Sequence, residues 1–307
     1  MGKSWLWGAL LALGLQATAQ AAEEPGFSSQ KLAGGLYVLS GQGGFTGGNI
    51  LISTGADGTV MIDDSMPPHL NKLRAAIAEI SDAEIAFIIN THVHDDHTGN
   101  NAAFASEGAY VVAHDKMRDR LALDKTRTAD ALPVITLNDQ MSFYVNDLPV
   151  RVFHLSHAHT DGDLAIEFPT LNVIHTGDVL FNGMFPFIDL DSGGSVEGYI
   201  AAQQRLLEKV NDDTVIVPGH GALASKADLL RANKMLLDAR QKVAKRIAQG
   251  DTEAEILAAN PLASYHEQWN WEFITTEKMT RTLYRDLTEH RHAHGGKAGK
   301  AQAESHH

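Results

Sequence analysis

Asn90-Thr91-His92-Val93-His94-Asp95-Asp96-His97-Thr98-Gly99-Asn100 is the stretch whose reading decides the fold. It directly follows residues 85–90 (IAFIIN), a continuous apolar run of the kind a strand buried on both faces requires. Three imidazoles and the carboxylate of Asp96 fall within six residues. They follow the end of a strand, where α/β proteins place their sites. In a turn, His92 and His94 point one way while Asp96 and His97 turn toward a second point nearby, so that one short loop can feed two metals. Neutral imidazole and carboxylate suit zinc, and also iron or manganese.

Working outward, strand-like and helix-like stretches alternate. Residues 36–39, 49–53 and 59–63 are expected to be short strands joined by Gly-rich turns. Residues 69–80 carry apolar side chains at helical spacing, 100–106 a short helix, and 109–113 a return to strand. The second half follows the same style, with strands over 150–154, 164–168, 173–176 and 214–217 and helices over 196–210 and 226–249. Such alternation predicts a layered α/β architecture.

Three further strand ends carry ligand-type side chains. His159 lies in His157-Ala158-His159-Thr160-Asp161-Gly162-Asp163, Asp178 in His175-Thr176-Gly177-Asp178, and His220 in Val215-Ile216-Val217-Pro218-Gly219-His220-Gly221. The glycines permit the tight backbone turns that aim such a side chain.

Composition narrows the chemistry. The chain of 307 residues has no cysteine, which removes disulfides and thiolate ligands and leaves His, Asp and Glu to bind metal. Its formal net charge of −13 disfavours nucleic acid as a partner. At the amino terminus, Lys3, the apolar run 5–15 and Ala19-Gln20-Ala21 read as a signal peptide over residues 1–22, cleaved after Ala21 or Ala22. The run is too short for a comfortable membrane span. The mature protein is therefore expected in the periplasm or outside the cell, as one domain over 23–290. Residues 291–307 are rich in Gly, Lys and His without apolar periodicity and read as a disordered tail.

The ordered set of His92-x-His94-x-Asp96-His97, then His159-Thr160-x-Gly162, then Thr176-Gly177-Asp178, then Pro218-Gly219-His220-Gly221 resembles the metallo-β-lactamase superfamily from about Gly35 to about Lys245. The resemblance implies an αββα sandwich, two β-sheets covered by helices, with a binuclear site at one edge. It implies that His92, His94 and His159 hold a first metal, that Asp96, His97 and His220 hold a second, and that Asp178 bridges them, with two Zn2+ as the expected pair and Fe or Mn as alternatives. Such a site would share one water between ions about 3.5 to 4 Å apart and lower its pKa toward about 7, giving a hydroxide nucleophile that Asp96 helps to orient. A metal-dependent hydrolase of a small amide or ester follows, β-lactam and lactone rings included. The alternatives are a glyoxalase II-like thioesterase and an iron-dependent, persulfide dioxygenase-like oxidoreductase.

Departures from subfamilies sharpen this. The absence of Cys departs from the cysteine-containing β-lactamases, and Asp178 departs from the all-His subclass, which lacks a bridging Asp. The glycine- and cysteine-rich stretch of glyoxalase II is replaced by residues 179–185 (VLFNGMF), and Phe181 stands where acyl-homoserine lactonases have Tyr. His94 departs from the flavodiiron proteins, which carry Glu there.

Other positions keep alternative readings. His157 is a rival to His159, and His175 reads as a strand residue or a donor to a ligand. His114, His154 and His266 read as ordinary surface or core histidines. Asp95 is expected to face away or to cap the next turn, and Asp161 and Asp163 can accept from a ligand imidazole. The Gly-rich segment 41–49 presents Phe45 either as a mobile tip over the substrate or as a plain turn. Residues 185–189 (FPFID) and Trp269-Asn270-Trp271 can form an apolar wall or pack the core. Met279, Leu283 and Leu287 mark an amphipathic final helix over 276–290.

Overall fold

The computed structural model describes residues 24–303, with side chains to Glu289. The expected signal peptide, residues 1–22, lies outside the described residues. None of the described helices is long and apolar enough to cross a membrane.

The first half of the chain builds a seven-stranded sheet in sequence order: β1 (Gly26–Lys31), β2 (Leu36–Gln42), β3 (Ile50–Gly55), β4 (Gly58–Ile62), β5 (Ile85–Ile89), β6 (Tyr110–His114) and β7 (Ile135–Leu137). Pairing is antiparallel from β1 to β4 and parallel from β4 to β7. The parallel strands need crossovers, supplied by α1 (Leu70–Ala78), α2 (Asp95–Thr98) and α3 (Asn101–Ala105), then α4 (Asp115–Leu123). The second half builds a five-stranded sheet from β8 (Gln140–Val145), β9 (Leu148–Leu155), β10 (Asp163–Phe168), β11 (Val173–His175) and β12 (Val215–Val217), in the order β12-β11-β10-β9-β8. Helix α5 (Val196–Lys209) joins β11 to β12, and α6 (Lys226–Ala248), α7 (Glu253–Ala259), α8 (His266–Trp269) and α9 (Thr276–Ala303) follow.

Side-chain alternation makes this a four-layer sandwich. Leu51, Ile62, Ile89 and Val112 of the first sheet meet Val152, Leu164, Ile166 and Val217 of the second in one apolar layer. Their sequence neighbours Ile52, Met61, Ile88 and Val111 face the other way, onto Leu73 and Ile77 of α1 and Phe104 of α3. On the opposite flank, Phe153, Ile174 and Ile216 pack under Tyr199 and Leu206 of α5, Leu236 of α6 and Leu283 of α9. This is the αββα arrangement that the sequence predicts. Serine caps start α5 and α6: the Ser195 side chain accepts from Gly198 N, and Ser225 with Asp228 forms a capping box for α6.

Three elements bury too little to stand out in the sequence. Strand β8 alternates exposed and half-buried residues at a sheet edge, and β1 is likewise an edge strand. Helix α4 buries only Met117 and Leu121. At the other end, helical backbone runs on to Ala303, through residues read as an unstructured tail. Ala, Lys, Arg and Gln are strong helix formers, and they make up much of that stretch.

Candidate metal centre

Both sheets deliver their ligand-bearing loops to one end of the sandwich. After β5, Asn90 N donates to Val112 O at 2.9 Å, and the Asn90 amide then donates to His97 O at 2.9 Å, closing the HxHxDH loop on itself. The loop is tied to the other sheet by Leu164 N donating to Thr91 O at 2.8 Å. His159 sits in the β9–β10 turn, Asp178 just after β11, and His220 just after β12.

All seven candidate ligands come together in two clusters, His92, His94, His159 and Asp178 in one and Asp96, His97 and His220 in the other. In the first, His159 Nε2 and His94 Nδ1 are 2.9 Å apart, and Asp178 Oδ2 lies 3.5 Å from His159 Nε2 and 3.6 Å from His92 Nε2. In the second, Asp96 Oδ2 lies 3.3 Å from His97 Nε2 and 3.2 Å from His220 Nε2. The other carboxylate oxygen of Asp178, Oδ1, lies 3.2 Å from His97 Nε2 and 3.4 Å from His220 Nε2. One carboxylate thus presents one oxygen to each cluster.

A layer of acceptors fixes which imidazole nitrogen faces the centre. His97 Nδ1 donates to Asp63 Oδ2 at 2.7 Å. Thr91 Oγ1 donates to the same oxygen at 2.7 Å and sits 3.0 Å from His92 Nδ1, whose proton it can accept. Asp63 therefore orients His97 directly and His92 through Thr91. His94 Nε2 donates to Asp189 Oδ2 at 2.9 Å, and His159 Nδ1 to Phe187 O at 2.8 Å. His220 is instead sandwiched between the rings of Phe45 and Phe181, with centroids at 5.9 and 5.0 Å.

Close packing demands glycine at two points. A Cβ on Gly219 would collide with Asp178 Oδ1, and one on Gly48 would collide with the His97 ring and stand 2.9 Å from Gly219 O. The Pro218-Gly219-His220 turn is braced by Asn49, whose N donates to Gly219 O at 2.7 Å and whose amide donates to Pro218 O at 2.9 Å.

The two clusters differ electrostatically. Burial, the largest influence, holds the His92 imidazole well below its usual range, and the neighbouring His97 adds to the effect. Burial likewise pushes His159 down to about 4, against the opposing pull of Asp178. In the second cluster burial also opposes the proton, but carboxylates outweigh it. Asp178 and Asp96 hold His220 up at about 9, and Asp96, Asp178 and Asp63 hold His97 well above its ordinary value. Asp178 stays far below the usual carboxylate range despite burial, because His220, His97 and His92 surround it.

The donors fit divalent cations. His92 Nε2 and Asp178 Oδ1 are buried and have no hydrogen-bond partner, a costly state that a bound cation would relieve. Imidazole and carboxylate are the ligands that zinc, iron and manganese take.

His157 is exposed, at φ 51°, and its ring donates to Gly193 O at 2.8 Å, away from both clusters. Asp95 faces away, paired with Arg127. The suggestion that Asp161 and Asp163 accept from a ligand imidazole is corrected. The Asp161 carboxylate is engaged by Arg120 at 2.7 and 2.8 Å, and that of Asp163 by Thr160 N and Oγ1. His175 contacts no ligand; its Nε2 donates to Asn49 O at 3.0 Å and its Nδ1 accepts from Gly177 N. Asp63, Asp189 and Asn49 were not singled out from the sequence. Their one signal is a polar residue at a strand end or beside an apolar run, which is too common to select them.

The cluster opens into a cavity of about 660 Å3. His94, Asp96, Asp178 and His220 form its floor, and its walls include Phe45, Met66, Phe181, Phe187, Trp271 and Phe273. The apolar-wall reading of 185–189 and 269–271 holds for Phe187 and Trp271, whereas Phe185 and Trp269 are buried in the core.

Two His/Asp clusters sharing one carboxylate, at the end of an αββα sandwich, define a metallo-hydrolase-type centre. Residues 43–220, more than half of the chain, match the model of the metallo-beta-lactamase superfamily, and the protein belongs to that superfamily. A hydroxyacylglutathione hydrolase of Polaromonas sp. (strain JS666) is 32% identical over 175 residues, covering 56% of this chain and 61% of that one. A 2,4-dinitroanisole O-demethylase subunit alpha of Nocardioides sp. (strain JS1661) is 24% identical over 202 residues, covering 64% of this chain and 58% of its own length. The chain thus spans less than two thirds of either of these relatives. Among solved structures, a metallo-beta-lactamase from Pontibacter korlensis superposes with a TM-score of 0.59 at 19% identity, over 69% of this chain and 99% of that one. A sec-alkylsulfatase from Pseudomonas sp. superposes with a TM-score of 0.66 at 16% identity, over 84% of this chain and 50% of that one.

Proposed function

We propose that the protein is a two-metal hydrolase that cleaves a small-molecule ester or amide, cyclic forms such as lactones and β-lactams included. The observation that carries this reading is the placement of Asp178, with Oδ1 toward one cluster and Oδ2 toward the other. His92, His94 and His159 would hold a first metal and Asp96, His97 and His220 a second, with Asp178 common to both and zinc the leading candidate. When bound, such ions supply Lewis acidity that makes water nucleophilic near neutral pH and polarises the scissile group. Without Cys, the chain offers no thiol nucleophile to compete with this route.

The remaining chemistry falls to the chain's own groups. Asp96 lines the cavity and lies well below the usual carboxylate range, because the surrounding imidazoles of His97 and His220 outweigh its burial. It is placed to orient the attacking water. Asp63 and Asp189 keep the ligand imidazoles turned toward the centre, and the aromatic walls exclude bulk water. On the strength of residues 1–22 alone, the reaction is placed in the periplasm or outside the cell.

The test is metal content together with a panel of β-lactams, lactones, esters, thioesters and phosphodiesters. Two zinc per chain with turnover of an acyl substrate supports the reading. Asp96→Asn is expected to lose at least about 10²-fold in turnover, because it removes both a ligand of the second metal and the group that orients the water. A thioesterase is the second reading, favoured by the similarity to hydroxyacylglutathione hydrolases. One iron per chain with oxygen uptake and no hydrolysis would overturn both in favour of a dioxygenase.

A further inference from the structure

We propose that the non-reacting part of the substrate is an apolar aryl or alkyl group bearing no anionic charge. The inference rests on the hydrolase reading above and narrows it to a substrate class. The cavity walls are aromatic, and apart from the ligand imidazoles His94 and His220 every ionisable side chain lining the cavity is acidic: Asp95, Asp96, Asp178 and Glu272. No Lys or Arg lines it among the described residues. Asp96 and Asp178 belong to the metal centre and Asp95 is paired with Arg127, which leaves the exposed Glu272 as the free charge at the rim, between Trp271 and Phe273.

Nearby cations are committed elsewhere. In the adjoining cleft, which shares His94 and Asp95 with the cavity, Arg120 is bonded through two nitrogens to Asp161, and Arg127 to Asp95, Asp124 and Thr98. Lys278 stands 4.8 Å from the centre of the Phe273 ring, outside the lining, and donates to Phe273 O at 2.8 Å. A carboxylate-bearing tail would therefore lose water, meet Glu272, and find no free partner. An apolar tail gains by covering Phe45 and Phe273, which come from two different loops and are 58% and 48% exposed.

The decisive probes are hydroxamates of matched length, which anchor on the metals and vary only in the tail. With metal-replete protein, calorimetry should show octanohydroxamic acid binding at least about tenfold more tightly than the monohydroxamate of suberic acid, the same chain ended by a carboxylate. Lengthening from butano- to octanohydroxamic acid should tighten binding by up to about fourfold per methylene. Glu272→Lys should narrow the first difference, and Phe45→Ala with Phe273→Ala should flatten the second, with melting curves confirming that the variants fold. Equal or tighter binding of the carboxylate-ended probe, or no dependence on tail length, would overturn the proposal. If the probes follow the expected order while no ester or amide is cleaved, the hydrolase reading fails and the tail preference stands. If esters are cleaved but carboxylate-ended ones are preferred, the reverse holds.

Discussion

Asp63→Asn tests whether the orienting carboxylate governs the centre. Asp63 is fully buried and accepts three hydrogen bonds at 2.7 Å, from Thr91 N, Thr91 Oγ1 and His97 Nδ1. Its φ of 63° suits Asn as well as Asp, so the exchange adds no backbone strain. Whichever way the new amide turns, its NH2 faces a group that now donates. With NH2 in the Oδ2 position, His97 must shift its proton to Nε2, the nitrogen that faces the centre. Loss of such a partner typically weakens metal binding 10- to 100-fold, about 1.4 to 2.8 kcal/mol. Loss of a charge-assisted hydrogen bond costs the metal-free fold about 1.5 to 3 kcal/mol. Competition against a chromophoric chelator should show the second equivalent weakened most, since His97 is contacted directly, and the first weakened less, since His92 is reached through Thr91. Thr91→Val should weaken the first equivalent alone. If Asp63→Asn takes up both equivalents with unchanged affinity, the assignment of Asp63 as the orienting group is wrong.

Other outcomes follow from the same geometry. Chelation should lower the melting temperature by on the order of 10 °C, because a ligand at a thousandfold excess over its Kd contributes about 4 kcal/mol; an unchanged melting curve with metal loss confirmed would count against it. Metal uptake near pH 7 should release protons from the second cluster, where His220 titrates at about 9 and must give up its proton to bind. Affinity should then rise with pH up to about 9, and calorimetry in buffers of different ionisation enthalpy reads the proton count. His157→Ala should keep both equivalents of metal, whereas His159→Ala should lose the first, as measured by elemental analysis after desalting. Gly219→Ala should displace the Asp178 carboxylate, abolishing activity while costing binding of both ions.

Much of this was legible in the sequence because the ligands sit in short motifs after strongly apolar strands. His92, His94, Asp96 and His97 share one turn after β5, and Asp178 and His220 each follow a three-residue strand led by Val-Ile. The orienting groups were not legible. Asp63 lies 28 residues before Thr91, and Asp189 lies 95 after His94. The pairing of β4 with β5 brings Asp63 to Thr91, and the packing of the two sheets brings Asp189 to His94; a lone acid in a loop carries no periodic signal. Asp161 and Asp163 erred for the converse reason. Proximity in sequence to His159 suggested an imidazole partner, but Arg120, arriving from α4, and the adjacent Thr160 claimed them instead. Edge strands and the short α4 bury too little on either face to print a clear pattern.

The chain crosses from one sheet to the other only between β7 and β8, and neither side of that crossing owns a complete set of donors. His92, His94, Asp96 and His97 come from the amino-terminal half, and His159, Asp178 and His220 from the carboxy-terminal half. Each ion would therefore act as a rivet through the seam. Cut in that crossing, the two fragments would have in metal a concentration-dependent switch for their reunion, and catalysis would report when the seam had closed.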